Sequence, residues 1–230
     1  MLNSLGVRQF GISYDDLGGS VSGSQHADII NRVNREFVQV KGDVKPLIVV
    51  GTRYCNGWGP SMYSYFKPFW QNLDDDVVVM WTGANTMSAI TKEAYEWPKT
   101  QTGVTGKNLA AWWNYPVNDY CDGNLMMSPL ENLDNDVDNL SGFFLNPMSQ
   151  AEASKVAIFS GADYSWNIGG FERTSSWVRA IDELVPEASE AFQRFADNIS
   201  YIKDGFEFDE SRYLVDTIDA FKTALQNKDG

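Results

Sequence analysis

The chain has 230 residues, 43% of them hydrophobic and 13% aromatic, which is enough to bury one sizeable core. A formal net charge of -13 and a pI near 4.4 oppose binding to phosphate backbones and anionic membrane surfaces, so nucleic acid is not the expected partner. Two cysteines, Cys55 and Cys121, and one histidine, His26, provide no Cys/His metal set, no disulfide framework and no nucleophile–histidine pair. Any chemistry falls to carboxylates.

The N-terminus, MLNSLGVRQFGISYDD, has no basic region followed by a long apolar stretch, so no secretory signal is expected within this stretch, and localisation stays unassigned. No run approaches the roughly 18 apolar residues of a membrane span. The first short apolar run, QFGISY at 9 to 14, ends on Asp15 and Asp16 before a glycine-rich break. A helix over His26 to Phe37 follows, with Ala27, Ile30, Val33, Asn34 and Phe37 on one face and Ser24 as N-cap. His26 falls on its surface. PLIVVG at 46 to 51 is the second strand, and Tyr63 to Leu73 reads as helical despite Pro68.

Asp74, Asp75 and Asp76 precede the third run, VVVMWT at 77 to 82, and read as a charged loop at the opposite end of the strands from Asp15 and Asp16. Ala89 to Trp97 is a helix broken at Pro98. NLAAWWN at 108 to 114 and GFFLN at 142 to 146 complete five strands, of parallel, internally buried type. Of Trp112 and Trp113, at least one is core filler. Helices follow over 149 to 166 with Ser149 as cap, over Ser176 to Leu184 and over Glu187 to Ile199. A last amphipathic helix carries Tyr213, Leu214, Ile218, Phe221 and Leu225. Strand and helix alternate, which points to an α/β fold around a parallel sheet.

In each run the polar or aromatic residues of interest come last: Asp15 and Asp16, then Tyr54, Thr82, Trp112 with Asn114 and Asp119, and Asn146. Loops at the C-terminal ends of strands are where a β/α barrel builds its site. Any one of these positions alone has a plain structural reading. An Asp pair before Gly-Gly is usually a solvated turn, and an Asn before Pro is usually a turn residue.

The pieces YDD at 14 to 16, TRYC around Tyr54, MWTG at 80 to 83, WWNYPVNDY at 112 to 120, FLNPMSQAEASKVA at 144 to 157 and ADYSWN at 162 to 167 resemble glycoside hydrolase family 84. This family comprises β-N-acetylglucosaminidases, among them bacterial enzymes labelled hyaluronidases and the O-GlcNAcase that removes N-acetylglucosamine from proteins. The pieces stand in the family's order over roughly residues 8 to 185. The resemblance implies a (β/α)8 TIM barrel of which this chain holds strands four to eight, followed by C-terminal helices. Residues 1 to 185 are then the C-terminal part of the catalytic barrel, and 186 to 230 a helical extension. Against about 250 residues for a typical barrel, the expectation is that roughly 80 to 100 residues lie outside the chain upstream.

The activity implied is a retaining exo-β-N-acetylglucosaminidase in which the sugar's own 2-acetamido oxygen is the nucleophile. By the same resemblance, Asp15 accepts the acetamido N–H and Asp16 is the general acid and base. Tyr54 binds the acetamido carbonyl, Asn114 positions that group, and Thr82 and Trp112 surround the acetyl methyl. Asp119 binds sugar hydroxyls with help from Asn146. The two aspartates need opposite protonation states at the start, which gives a bell-shaped pH–rate profile. No metal or organic cofactor is implied. The substrate class is an N-acetylglucosamine-containing glycan or glycoprotein. The alternative is a catalytically incompetent, sugar-binding remnant whose activity needs a separately encoded N-terminal half-barrel or self-association, because an open sheet loses one wall of the pocket. Trp166 and Asn167 read as packing residues that anchor the barrel's last helix.

Overall fold

The computed structural model describes residues 1–58, 60–106, 108–121, 123–137, 140–200 and 214–227. The five strands expected from the sequence are β1 (Gly11–Ser13), β2 (Ile48–Val50), β3 (Val78–Trp81), β4 (Asn108–Pro116) and β5 (Leu140–Asn146). They form one sheet in the order β1-β2-β3-β4-β5, with β1–β2, β2–β3 and β3–β4 parallel. Ser141 bonds Asn108 at the entry of the last pair (3.4 Å) and Asn146 bonds Asn114 at its exit (3.1 Å), so β5 runs with β4. Strands that neighbour one another in strict chain order are wound as in a β/α barrel, not doubly wound about a switch point.

The chain divides into two compact units. The first comprises residues 1–114 and 132–146, the second 115–131 and 147–230. In the first unit, Val49, Val79, Leu109, Ala110 and Ala111 are buried along β2, β3 and β4, as expected for strands covered on both faces, whereas β1 and β5 hold no buried residue, which corrects the expectation of five internally buried strands. Helix α1 (Gly23–Val33) continues through a π-turn at Asn34–Val38 into the short α2 (Gln39–Lys41). Its N-cap is Ser22, whose hydroxyl accepts the Gln25 N–H, rather than Ser24. The π-turn inserts a residue, so Val38 is buried where simple helical spacing places Phe37.

Helix α3 (Pro60–Asn72) carries Pro68 internally, as expected, whereas α4 (Lys92–Thr102) passes through Pro98 instead of breaking there. A mid-helix proline costs about 3 kcal/mol. Here tertiary packing offsets it: Pro98, Ala94 and Tyr95 are buried, and Trp97 stacks on Trp81 at 5.9 Å. Thr91 caps the helix start, and Gly103, at φ 72°, ends it.

The acidic triplet before β3 does more than solvate a loop. Asp74 accepts from Asn34 and pairs with Arg35, while Asp76 accepts from Asn34 (2.8 Å) and Gln39 (3.2 Å). It thereby stitches the end of α1 to the strand entry.

In the second unit, α5 (Ala151–Trp166) starts after Gln150 rather than from a Ser149 cap. Helices α6 (Arg173–Leu184) and α7 (Ser189–Asn198) follow. Segment 115–131 is tied to these helices by Trp177 Nε1, which donates to the Met127 carbonyl (2.6 Å), and by Ser200, whose Oγ accepts the Met127 N–H (2.9 Å). Trp166 is 90% exposed, which overturns its reading as a packing anchor. It is the last residue of α5. Asn167 does serve structure, accepting the Gly170 N–H at 3.2 Å. Helix α8 (Val215–Asn227) forms as expected, with Ile218, Phe221 and Leu225 exposed among the described residues; Tyr213 lies outside them. No helix among the described residues is long and apolar enough to cross a membrane.

Candidate active site

The β1–β2 ladder extends one residue past β1, where the Tyr14 N–H donates to the Val50 carbonyl at 2.9 Å. The chain then turns, and Asp15 and Asp16 stand in that turn rather than in the pleat. Asp15 is half-buried and accepts the Ser13 hydroxyl. Asp16 is exposed, with φ at 53°. A left-handed backbone at an aspartate costs of order 1 kcal/mol and is tolerated better there than at most side chains. From this turn the two carboxylates reach different partners, Asp15 the Ser13 hydroxyl and Asp16 the Tyr54 hydroxyl.

Tyr54 follows β2 and is 5% exposed. Its ring packs edge-on to Trp58 (5.5 Å, 88°) and against Trp112 (5.3 Å, 59°), with Val50, Cys55 and Met80 in the same cluster. Its hydroxyl donates to Asp16 Oδ1 at 3.2 Å. Burial first, then the neighbouring Asp16 charge and the hydrogen bond to it, push the Tyr54 hydroxyl up to about 12, so it remains a donor throughout the neutral range. Cys55 beside it is a buried thiol that desolvation pushes up.

Thr82, at the exit of β3, is buried beneath this loop. Its N–H and hydroxyl both face the Tyr54 carbonyl, at 2.9 and 3.2 Å, with the Asn85 carbonyl 2.8 Å from the hydroxyl. Cys55 and Gly83 form a parallel bridge. Gly83 combines φ 107° with the Ser88 hydroxyl 2.6 Å from where a Cβ would sit, so any other residue here is strained and displaces Ser88.

Alternation resolves the tryptophan pair: Trp112 is half-buried against Tyr54, and Trp113 is fully buried with its indole donating to the Ser88 carbonyl. Asn114 donates to the Thr86 carbonyl (2.8 Å) and accepts from Asn146 (3.1 Å). Asp15, Asp16, Tyr54, Thr82, Trp112, Asn114 and Asn146 all lie in the first unit at the exits of the strands. Asp119 belongs to the second unit, exposed in a turn after β4.

Three residues here escape the sequence reading. The Thr86 side chain adjoins Tyr54 and Cys55 while its carbonyl accepts from Asn114, so it links the two halves of the cluster. Its position in the loop after VVVMWT was the available signal. Trp58, four residues past Tyr54, walls the ring and carries the Arg53 guanidinium 4.7 Å over its own face. His26 is half-buried, not on the surface: it stacks on Tyr14, because α1 approaches α3 closely enough to enclose it. Among the described residues no group of three or more His, Cys, Asp or Glu side chains converges in a way that could hold a metal ion.

A family model described as beta-N-acetylglucosaminidase matches residues 1–197. Among solved structures, CpGH84B is 35% identical with a TM-score of 0.88, over all of this chain and 40% of its own. CpGH84D is 32% identical with a TM-score of 0.88, over all of this chain and 38% of its own. A mutant of the Thermobaculum terrenum O-GlcNAc hydrolase is 23% identical with a TM-score of 0.83, over 98% of this chain and 50% of its own, a likeness of fold. The chain spans about two fifths of the length of the first two relatives.

Proposed function

The chain belongs to the β-N-acetylglucosaminidase family, glycoside hydrolase family 84, and from that premise we propose that it carries the reacting half of a retaining exo-β-N-acetylglucosaminidase site. The observation that supports the reading most is the hydrogen bond from the Tyr54 hydroxyl to Asp16, made against the Trp112 wall. It puts a persistent donor and an exposed carboxylate within one small sugar's reach, beside an aromatic face.

In the proposed reaction a terminal N-acetylglucosamine places its acetyl methyl toward Trp112 and Thr82. The Tyr54 hydroxyl moves its hydrogen bond from Asp16 to the acetamido oxygen, which frees Asp16 for the glycosidic oxygen. That acetamido oxygen attacks the anomeric carbon, the C1–O bond breaks, and Asp16 delivers its proton to the departing oxygen. Asp15 takes the acetamido N–H and stabilises the positive charge of the oxazolinium-like intermediate. Asp16 then removes a proton from water as it attacks C1 from the face the leaving group left, and configuration is retained. Asn114, with Asn146, binds amide and hydroxyl groups of the sugar.

The test is release of p-nitrophenol from the β-N-acetylglucosaminide, followed with N-acetyl, N-fluoroacetyl and N-trifluoroacetyl substrates. A rate that falls steeply with each fluorine is expected when the amide oxygen is the nucleophile; a flat series would show that it is not. A second reading is favoured by the chain's span of about two fifths of its relatives: sugar binding without turnover until a half-barrel supplied separately, or a second copy, completes the wall. Turnover that appears only on mixing the two parts selects it.

A further inference from the structure

His26 is the chain's one histidine. It lies in the first turn of α1, with its ring stacked on Tyr14 at 4.0 Å between centroids and 23° between planes. Its Nδ1 is 2.8 Å from the Tyr65 hydroxyl. That hydroxyl accepts the Thr52 N–H at 3.0 Å. The arrangement proposed below has the Tyr65 hydroxyl donating to Nδ1, with the neutral imidazole as the Nε2–H tautomer. Burial acts in the same sense, lowering the affinity of His26 for a second proton. Tyr65 is itself braced by stacking on Phe69 at 5.5 Å. At Gly23 a Cβ would lie 1.9 Å from the Tyr65 carbonyl oxygen, so α1 meets α3 backbone to backbone where the histidine must reach across.

The two ends of this chain of contacts matter. Tyr14 immediately precedes Asp15 and Asp16, and Thr52 stands two residues before Tyr54. The β1–β2 ladder ends with the Tyr14–Val50 bond, after which both strands part into loops. We propose that His26 is a positioning residue that clamps Tyr14 to Thr52 through Tyr65, and so sets the distance between the acidic pair and the Tyr54 hydroxyl. This rests on the reading of Asp16 and Tyr54 as reacting groups. A displacement of about 1 Å between such groups costs on the order of a hundredfold in rate, so a clamp outside the site has leverage on it.

The test has two readouts on the intact chain. In the 15N-labelled protein near neutral pH, the single histidine is assigned without ambiguity. A protonated Nε2 and a bare, hydrogen-bonded Nδ1 are expected, and Tyr65→Phe moves the Nδ1 shift. In turnover of p-nitrophenyl N-acetyl-β-glucosaminide, His26→Phe keeps the stack and loses the acceptor; kcat falls about tenfold with KM changed less than about twofold. His26→Asn, whose side-chain oxygen takes the Nδ1 position but which loses the stack on Tyr14, does not restore kcat to the wild-type value. Tyr65→Phe matches His26→Phe, and the double variant is no worse than either alone. A protonated Nδ1 in the wild type, a His26→Phe variant with unchanged kcat, or losses that multiply in the double variant would each overturn the proposal. If the wild-type chain gives no turnover, the catalytic reading falls, and the clamp is decided by the Nδ1 shift and its response to Tyr65→Phe.

Discussion

The Tyr54 hydroxyl and Asp16 Oδ1 stand 3.2 Å apart, and this hydrogen bond joins the loop after β2 to the turn after β1. The two residues are 38 positions apart, brought together because parallel neighbours align their exits. Tyr54→Phe removes only the oxygen and leaves the ring wedged between Trp58 and Trp112. On the proposed mechanism kcat/KM falls roughly 10²- to 10³-fold, the order lost with a single preorganised donor to a reacting oxygen. Melting temperature should stay near that of the wild type, as measured by calorimetry. The phenol also leaves an alkaline signature. Its folded value, about 12, is above the ordinary 10, so its contribution to stability is complete below pH 10 and is lost as pH rises from 10 toward 12. Melting temperature against pH in that window should decline less steeply in Tyr54→Phe than in the wild type.

Asp16 and Asp15 are separable by leaving group. Asparagine tolerates the left-handed backbone at position 16 almost as well as aspartate, so Asp16→Asn removes the acid without adding strain. Turnover of an alkyl glycoside should fall by about 10² to 10⁴, the range for loss of a general acid, while an activated nitrophenyl glycoside is largely spared in the first step. Asp15→Asn should depress both substrates alike, because the intermediate's charge is the same whatever departs. Equal losses for both substrates in Asp16→Asn contradict the acid role.

Asn114 is 6% exposed and satisfies two partners at once, the Thr86 carbonyl and the Asn146 amide. Asn114→Ala leaves both without this contact, at a cost of about 1–3 kcal/mol for poorly satisfied buried polar groups. A lower midpoint in urea unfolding is expected with an unchanged slope. Asn146→Ala, at the half-buried end of the same bond, should cost less. The difference between the two variants measures what the Thr86 bond alone contributes.

Strands were legible in the sequence because each is a short apolar run whose polar residues come last, and that same order brought out Tyr54, Thr82 and Asn146. Helix α4 was not legible past Pro98, since a local breaker was overridden by Trp97 and Trp81, which lie 16 residues apart. Helix α1 slipped by a residue because a π-turn leaves no mark in the spacing of apolar side chains. The aspartate pair was found, but not the left-handed turn that carries it: a positive φ at a non-glycine residue cannot be read from composition. His26 and Thr86 were missed for a common reason. Their contacts are to Tyr65, Tyr14, Tyr54 and Cys55, partners up to 39 residues away, which local sequence does not name, although Thr86 does stand in the loop after a strand.

The adjacent tryptophans of β4 give the sharpest separation of folding from function. Side chains alternate across a strand, so Trp113 enters the core with nothing exposed and its indole N–H bonded to Ser88, while Trp112 turns to Tyr54. Trp113→Ala removes a fully buried ring and an internal hydrogen bond together, at about 3–5 kcal/mol, a large part of the 5–15 kcal/mol by which a domain is stable. It should yield little folded protein, as judged by far-ultraviolet dichroism and urea unfolding. Trp112→Ala leaves the core filled and opens one side of the Tyr54 ring. Its stability loss should be smaller, while KM for an N-acetylglucosaminide rises and the Tyr54 hydroxyl, now better solvated, titrates closer to its ordinary value. If Trp112→Ala instead unfolds the chain as Trp113→Ala does, Trp112 is a core residue, and the face opposite Tyr54 is not a sugar wall.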